Sequence, residues 1–300
     1  MKRIAEQLLA SRLSGLATAS WRRGARLVLA YHNVVPSDTP LARGDRSLHL
    51  TFRRFRDHLD LLQRSRVRFV PVHTPLEPGA TQPEVAITFD DAYASAMAIA
   101  IPELAARAIP ATVFVAPGIL GSRAAWWDLL ALPPDGVMAP GVREEALDRY
   151  QGKHAAIVDA WRPGALAETP LPEALRIATE RELESALGAH AGLMLGAHTW
   201  SHPNLTRLAG DELEEELVRP LEWLRSRWRD RTVPWLAYPY GLASPWLVPA
   251  VRRAGYEGSL LVQGGWQRAD STAHGTPRFS VSAGLSTPGF GARLNGFLTR

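Results

Sequence analysis

The chain has 300 residues, 46% hydrophobic and 21% charged, which suits one well-buried globular domain and disfavours a disordered chain. It contains no cysteine, which excludes disulfides, thiolate metal sites and cysteine nucleophiles. Arginine carries the net charge of +4, and because no basic run is interleaved with stacking aromatics, we expect no nucleic acid partner.

The first 25 residues predict a helical extension ahead of the main domain. Apolar residues recur there at helical spacing: Ile4, Leu8, Leu9, Leu13 and Leu16. Packing on the domain is the commoner use of such a stripe, and an interfacial helix at a membrane surface is the alternative. Charged residues interrupt the apolar run, so we expect no signal peptide and no transmembrane segment. A cytoplasmic or membrane-peripheral location follows from that expectation.

From residue 26 to residue 300 the pattern predicts a single α/β domain. Short apolar runs predict strands at 27–31, 67–72, 85–89, 111–115, 193–197, 233–238, 257–263 and 277–282. Thr51 is placed to cap a helix that carries Phe52, Phe55, Leu59 and Leu62 on one side. Ser244 and Pro245 begin another helix, which ends before Gly255. The alternation predicts a largely parallel sheet, interrupted by a helical insertion at about 121–190.

Two adjacent carboxylates, Asp90 and Asp91, follow directly on the apolar strand of VAITFDD. Neighbouring aspartates repel each other, so a site that keeps both ionised needs a cation, or else the pKa of one is raised. A metal bound by one of them leaves the other free as a base. Capping of the following helix, near Tyr93, is the alternative.

Two histidines four positions apart, His198 and His202, occur in GAHTWSH after another short strand. Pro203 disfavours a helix at His202, so either a helical turn or a strand-end loop can carry the pair. Alone, such a pair is more often surface or hydrogen-bonded core than metal ligand. Together with the aspartates it predicts one carboxylate and two imidazoles on a divalent ion, with positions open for water and substrate. Hydrolysis is the reaction class expected of such a site.

TFDD, HTWSH and the later AYPYG resemble, in order and spacing, motifs of the polysaccharide deacetylase family, also called NodB-homology or carbohydrate esterase family four. The resemblance spans roughly residues 26–282. It implies a distorted (β/α) barrel and metal-dependent removal of N- or O-acetyl groups from glycans. It also implies that Asp90 is the catalytic base and that Asp91, His198 and His202 hold the metal. Zinc is the expected ion, with cobalt and nickel as alternatives.

The remaining site residues follow from the same resemblance. AYPYG is similar to the segment that lines the substrate groove, so Tyr238 and Tyr240 are candidate substrate contacts, with strand packing as the alternative. Trp127, in the Trp126-Trp127-Asp128 sequence found in some exopolysaccharide-linked members, is a candidate for stacking on a sugar ring. Core packing is its alternative.

The chain departs from the family pattern at two places. Ala237 replaces the usual arginine before the proline, although exopolysaccharide-type members share this form, and Arg278 is a candidate to take the place of the missing arginine beside Asp90. The late histidine that acts as general acid is absent, so His32 and His274 are candidates for that role. Both departures leave open a catalytically impaired glycan-binding protein. We expect a hydrolase that removes N-acetyl groups from an amino-sugar glycan, with an O-acetyl esterase as the other alternative.

Overall fold

The computed structural model describes residues 24–36, 41, 43–77, 81–132, 136–161, 171–262, 264–268 and 271–294. The predicted helical extension at 1–25 lies almost wholly outside them. The described strands are β1 Ala25–Tyr31, β2 Asn33–Val35, β3 His49–Thr51, β4 Arg68–Phe69, β5 Glu84–Asp90, β6 Ala111–Val115, β7 Leu193–Ala197, β8 Thr232–Ala237, β9 Gly258–Leu260, β10 Gln267–Arg268, β11 His274–Thr276 and β12 Phe279–Ser280.

The described α-helices are α1 Phe52–Arg64, α2 Ile101–Ala106, α3 Trp126–Leu130, α4 Val142–Asp148, α5 His154–Trp161, α6 Glu180–Ala189, α7 Gly210–Trp228, α8 Leu247–Arg253 and α9 Thr287–Leu294. A π-helical turn, Ala96–Ala100, leads into α2. Among the described residues, no helix combines the length and apolar character that a membrane span requires.

The main sheet is a nearly closed barrel of mostly parallel strands, as the sequence predicts. Its strand order is β10-β1-β5-β6-β7-β8-β9-β11, and β10 pairs with β1 in the antiparallel direction. The segment that contains β11 and β12 hydrogen-bonds to both ends of the barrel, since β11 pairs with β9 and β12 pairs with β1. One short piece of chain thereby joins β1 and β9, which lie near opposite ends of the strand order.

Each of the eight predicted strand regions contains a strand. The short strands β2, β3, β10 and β11 lie outside the predicted regions. Helix α1 begins as expected, with the Thr51 hydroxyl accepting a hydrogen bond from the Arg54 amide. Helix α8 ends before Gly255 as expected but begins at Leu247, since a turn at Ser244 precedes it.

The predicted insertion is helical, with α3, α4, α5 and α6 inside it. Thr179 and Glu182 form a reciprocal capping box at the start of α6. Helix α6 then packs against α2 and β7. The last part of the segment 121–190 therefore belongs to the helical layer around the barrel.

Because the main parallel strands run in the same direction, their carboxyl ends meet at one rim of the barrel. Strand pairing aligns these ends: Tyr31 is opposite Phe89, and Val115 is opposite Ala197. The motif residues that follow β1, β5, β7 and β8 therefore come together at this rim, although they are far apart in the sequence.

Candidate metal centre and active-site cavity

A cavity of about 220 Å³ opens at the carboxyl rim of the barrel. The strand ends supply much of its lining: His32 after β1, Asp90 and Asp91 at the end of β5, His198 after β7 and Tyr240 after β8. Residues from the insertion and from the segment before α1 complete the lining. The cavity thus combines the three sequence motifs in one place.

Asp91, His198 and His202 are buried and point their ligand atoms at one another. The Oδ1 of Asp91 lies 3.1 Å from Nε2 of His202 and 3.5 Å from Nε2 of His198, and the two Nε2 atoms are 3.1 Å apart. Two ligands about 2.0–2.1 Å from a tetrahedral ion are themselves roughly 3.3 Å apart. The triangle therefore has the size that a small divalent ion requires.

The protonation of these groups also suits a cation. Burial raises the pKa of Asp91 to about 6 and lowers the pKa of His202 to about 3. Burial likewise lowers the pKa of His198, and its Nδ1 donates to the Ala237 carbonyl at 2.7 Å, which leaves the Nε2 lone pair free. Among the described residues, no donor forms a hydrogen bond with Asp91 Oδ1. The donor set fits a divalent metal.

The loop between the two histidines is held by hydrogen bonds rather than by helical geometry. Glu216 of α7 accepts from the amides of Trp200 and Ser201, at 2.8 and 2.9 Å, and from the Ser201 hydroxyl at 2.6 Å. The Thr199 hydroxyl accepts from the His202 amide at 3.1 Å. Of the two geometries left open by the sequence, the loop is the one observed.

Left-handed backbone conformations are concentrated at this site. Asp91, Thr199, His202 and Tyr240 have φ of 66°, 65°, 61° and 59°. Non-glycine residues rarely adopt such angles, and they are found most often at functional sites, where the surrounding structure imposes them. Three of these residues, Asp91, His202 and Tyr240, line the cavity.

Asp90 is held by Arg278, which is fully buried. Nη1 and Nη2 of the arginine donate to the two carboxylate oxygens of Asp90, each at 2.7 Å, and its Nε donates to the Leu261 carbonyl at 2.9 Å. Burial alone would raise the pKa of Asp90, but the Arg278 charge and hydrogen bonds lower it below its usual range. Asp90 is therefore a charged carboxylate beside the metal triangle.

The structure does not support the helix-capping alternative for the two aspartates. Both oxygens of Asp90 bind Arg278, and among the described residues neither carboxylate accepts a hydrogen bond from the amides of the following helix. The helix forms without a side-chain cap, since no cap hydrogen bond precedes the π-helical turn.

Of the two histidines considered as proton donors, His32 lines the cavity and His274 does not. Burial lowers the pKa of His32, an effect that the nearby charges of Asp90 and Asp91 oppose. His274 lies in β11 opposite Ser259, before the carboxyl end of that part of the barrel. His274 therefore lies outside the cavity lining.

Tyr240 and Trp127 line the cavity, whereas Tyr238 is not among its lining residues. Tyr238 directly follows β8 and is buried in the larger hydrophobic cluster, together with Leu236, whereas Ala237 belongs to the smaller cluster. The Tyr240 hydroxyl accepts from Trp126 Nε1 at 2.8 Å, and its ring lies 4.6 Å from the His202 ring. The Trp127 ring lies 4.7 Å from His202, and its Nε1 donates to the Tyr93 hydroxyl at 2.9 Å.

Sequence reasoning missed several residues of the site. Arg143 of α4 and residues 45, 47 and 48 line the cavity, and buried Asp128 lies behind them. None follows a predicted strand end. For Asp128 the sequence did offer a signal, because in Trp126-Trp127-Asp128 a charged residue follows two large aromatic residues.

The polysaccharide deacetylase family matches residues 173–259 of the chain, which include HTWSH and AYPYG. No curated protein matches the chain significantly. Several solved structures have the same fold. A polysaccharide deacetylase from Bacillus cereus is similar with a TM-score of 0.63 and 13% identity, over 90% of this chain and 69% of that one.

The deacetylase PplD from Streptococcus pyogenes, solved in complex with acetate, has a TM-score of 0.59 at 16% identity over 90% of this chain and 97% of its own. IcaB from Ammonifex degensii has a TM-score of 0.58 at 20% identity, over 91% of this chain and 96% of its own. At sequence identities this low, the similar structures show only that the fold is shared. The family match at residues 173–259 and the shared fold agree with the resemblance seen in the motifs.

Proposed function

We propose that the protein is a metal-dependent hydrolase that removes N-acetyl groups from an amino-sugar polysaccharide or oligosaccharide. The observation that carries the proposal is the buried triangle of Asp91, His198 and His202 beside a second carboxylate, Asp90, that is kept charged by Arg278. A ligand set and a separate base within one cavity are what a hydrolytic metal site requires.

Asp91, His198 and His202 would hold the ion, and zinc is the first choice because two neutral imidazoles and one carboxylate are ligands that it accepts. Cobalt and nickel accept the same ligands. When bound, such an ion polarises the substrate carbonyl and makes water more acidic.

Asp90 is the proposed general base. Its carboxylate takes a proton from the water that attacks the acetamide carbonyl, and Arg278 keeps the carboxylate ionised and oriented for this transfer. A backbone N–H near Tyr240 is the proposed donor to the developing oxyanion, a contribution worth about 3–4 kcal/mol in well-placed cases. The C–N bond then breaks, and acetate and a free amine result.

The leaving nitrogen must receive a proton as the C–N bond breaks. Two groups that line the cavity are the proposed donors: Asp90, once it has taken the proton of water, and His32. Arg278 also bears on the alternative of an impaired glycan-binding protein. Arg278 binds both carboxylate oxygens of Asp90 and can therefore do the work of the arginine that Ala237 replaces. The missing arginine was one of the two reasons to consider an impaired protein, and this reason is weakened.

The decisive experiment measures acetate release from N-acetylglucosamine oligomers, together with metal content. Asp90→Asn should lower the rate by about 100- to 10,000-fold while the ion content stays unchanged. Asp60→Asn, on the outer surface of α1, is the matched control and should keep the full rate.

Three outcomes of this experiment would contradict parts of the proposal. Near-normal turnover of Asp90→Asn would contradict the assignment of the base. Acetate release from O-acetylated glycans alone would favour the esterase. A bound ion without acetate release from either substrate would favour the binding protein.

A further inference from the structure

Asp128 is a fully buried carboxylate that the proposed chemistry does not use. It lies in helix α3, next to Trp127. Three donors reach it: the Asp45 amide and His49 Nε2 contact Oδ1, each at 2.9 Å, and the Tyr93 hydroxyl contacts Oδ2 at 2.6 Å. Its partners come from two separate parts of the chain, the segment 45–49 and Tyr93.

The hydrogen bond from His49 runs in one direction only. The Asn33 amide nitrogen, which can only donate, lies 3.1 Å from His49 Nδ1 and also donates to the Ala174 carbonyl at 2.7 Å. Nδ1 of His49 therefore accepts, and Nε2 carries the proton that is donated to Asp128. The chain of hydrogen bonds thus links β2, β3, α3 and the segment before α6.

The groups that Asp128 holds form two walls of the cavity. The first wall is the segment 45–48, whose Asp45, Ser47 and Leu48 line the cavity. Within it, the Asp45 carboxylate accepts from the Ser47 amide and hydroxyl, at 3.0 and 2.6 Å, so the turn is ordered once the Asp45 amide is held.

The second wall is the ring of Trp127, which lines the cavity and contacts His202. Trp127 Nε1 donates to the same Tyr93 hydroxyl that donates to Asp128. An aromatic ring facing a short polar segment is the arrangement that suits one sugar ring, since the ring packs on the sugar face and polar groups meet its hydroxyls.

We propose that Asp128 is a positioning residue that ties both walls to one carboxylate and thereby determines how tightly the amino-sugar ring is held, rather than how fast its acetyl group is cleaved. The identity of the sugar rests on the proposed function. The positioning role rests on the hydrogen bonds of Asp128. They join it to His49, which is 79 positions away in the sequence, and to Asp45, which is 83 positions away.

Tyr93→Phe is the sharpest variant to test this role, because it removes one hydroxyl and releases Trp127 without changing the size of the ring. Asp128→Asn is the second variant and disturbs both walls. Tyr256→Phe is the matched control, since Tyr256 is a buried tyrosine whose hydroxyl donates to the Leu217 carbonyl at 2.8 Å, outside the cavity lining.

The variants are compared by steady-state acetate release from an N-acetylglucosamine oligomer, by calorimetric binding of the same oligomer to metal-free protein, and by metal affinity. Tyr93→Phe and Asp128→Asn should raise KM and the oligomer Kd by about fivefold or more, as expected when one hydrogen bond is lost, with kcat and metal affinity within about twofold. Tyr256→Phe should leave all four quantities unchanged.

A fall in kcat or in metal affinity with KM and Kd unchanged in Tyr93→Phe would overturn the positioning role. An equal effect in Tyr256→Phe would also overturn it, because general loosening would then be the cause. If Asp128→Asn does not fold, Tyr93→Phe decides alone. Binding of the oligomer by the unmutated protein without acetate release would instead count against the proposed function and leave the binding comparison intact.

Discussion

Acid should destabilise the protein through His58, a buried histidine of α1 that does not line the cavity. Its ring stacks on Phe290 of α9, with centroids 4.0 Å apart and planes 15° from parallel. Nδ1 lies 3.4 Å from the Tyr31 hydroxyl, and Nε2 has no partner among the described residues. Burial, with a smaller contribution from Arg54, lowers the pKa of His58 from 6.5 to about 4.

The sign of the effect follows from the two pKa values. Between pH 6.5 and pH 4 the unfolded chain binds a proton at this position and the folded protein does not, so acid favours unfolding. The contribution of neutral His58 is fully present above pH 6.5 and is lost as the pH falls toward 4. With 1.36 kcal/mol for each pKa unit, the free energy of unfolding should fall by about 3 kcal/mol through this group.

His58→Phe keeps an aromatic ring against Phe290 and removes the titration. Urea unfolding of both proteins at a series of pH values from 7.5 to about 4 gives the difference in free energy directly, and the other acid-sensitive groups cancel in that difference. The variant should lose less stability on acidification, by about 3 kcal/mol at the lowest pH.

Parallel pH profiles for the two proteins would refute this reasoning, because they would show that His58 has the same pKa in the folded and unfolded states. His73→Gln is a useful comparison, since His73 is only half-buried and burial lowers its pKa as well. It should reduce the acid sensitivity by less than His58→Phe does.

Two further predictions concern the site itself. Glu216→Gln should weaken metal binding by about 10- to 100-fold, because the loop between the two histidines loses a charged acceptor, as competition with a chromogenic chelator would show. Exposed Glu215→Gln on the same helix is its control, and equal affinities in both would contradict the role of Glu216. Arg278→Lys should lower kcat by about tenfold or more with metal retained, since lysine cannot bind both oxygens of Asp90, and unchanged steady-state rates would contradict it.

Much of the architecture and the Asp91, His198 and His202 group that could hold a metal could be predicted from the sequence, because both depend on local patterns. Buried parallel strands are apolar runs, so the strands before TFDD and HTWSH were found without knowledge of their neighbours. Parallel strands place their carboxyl ends together, and this made Asp91, His198 and His202 neighbours in the prediction as well as in the structure.

The contacts around these ligands were decided only by tertiary structure. Arg278 reaches Asp90 across 188 residues because the segment from β11 to β12 joins the two ends of the barrel, and no local pattern encodes that closure. Burial of Tyr238, the position of His274 outside the cavity and the three donors around Asp128 depend on the same long-range register. Local sequence determines which residues form strands and rims, whereas the packing of distant segments determines which side chains meet there.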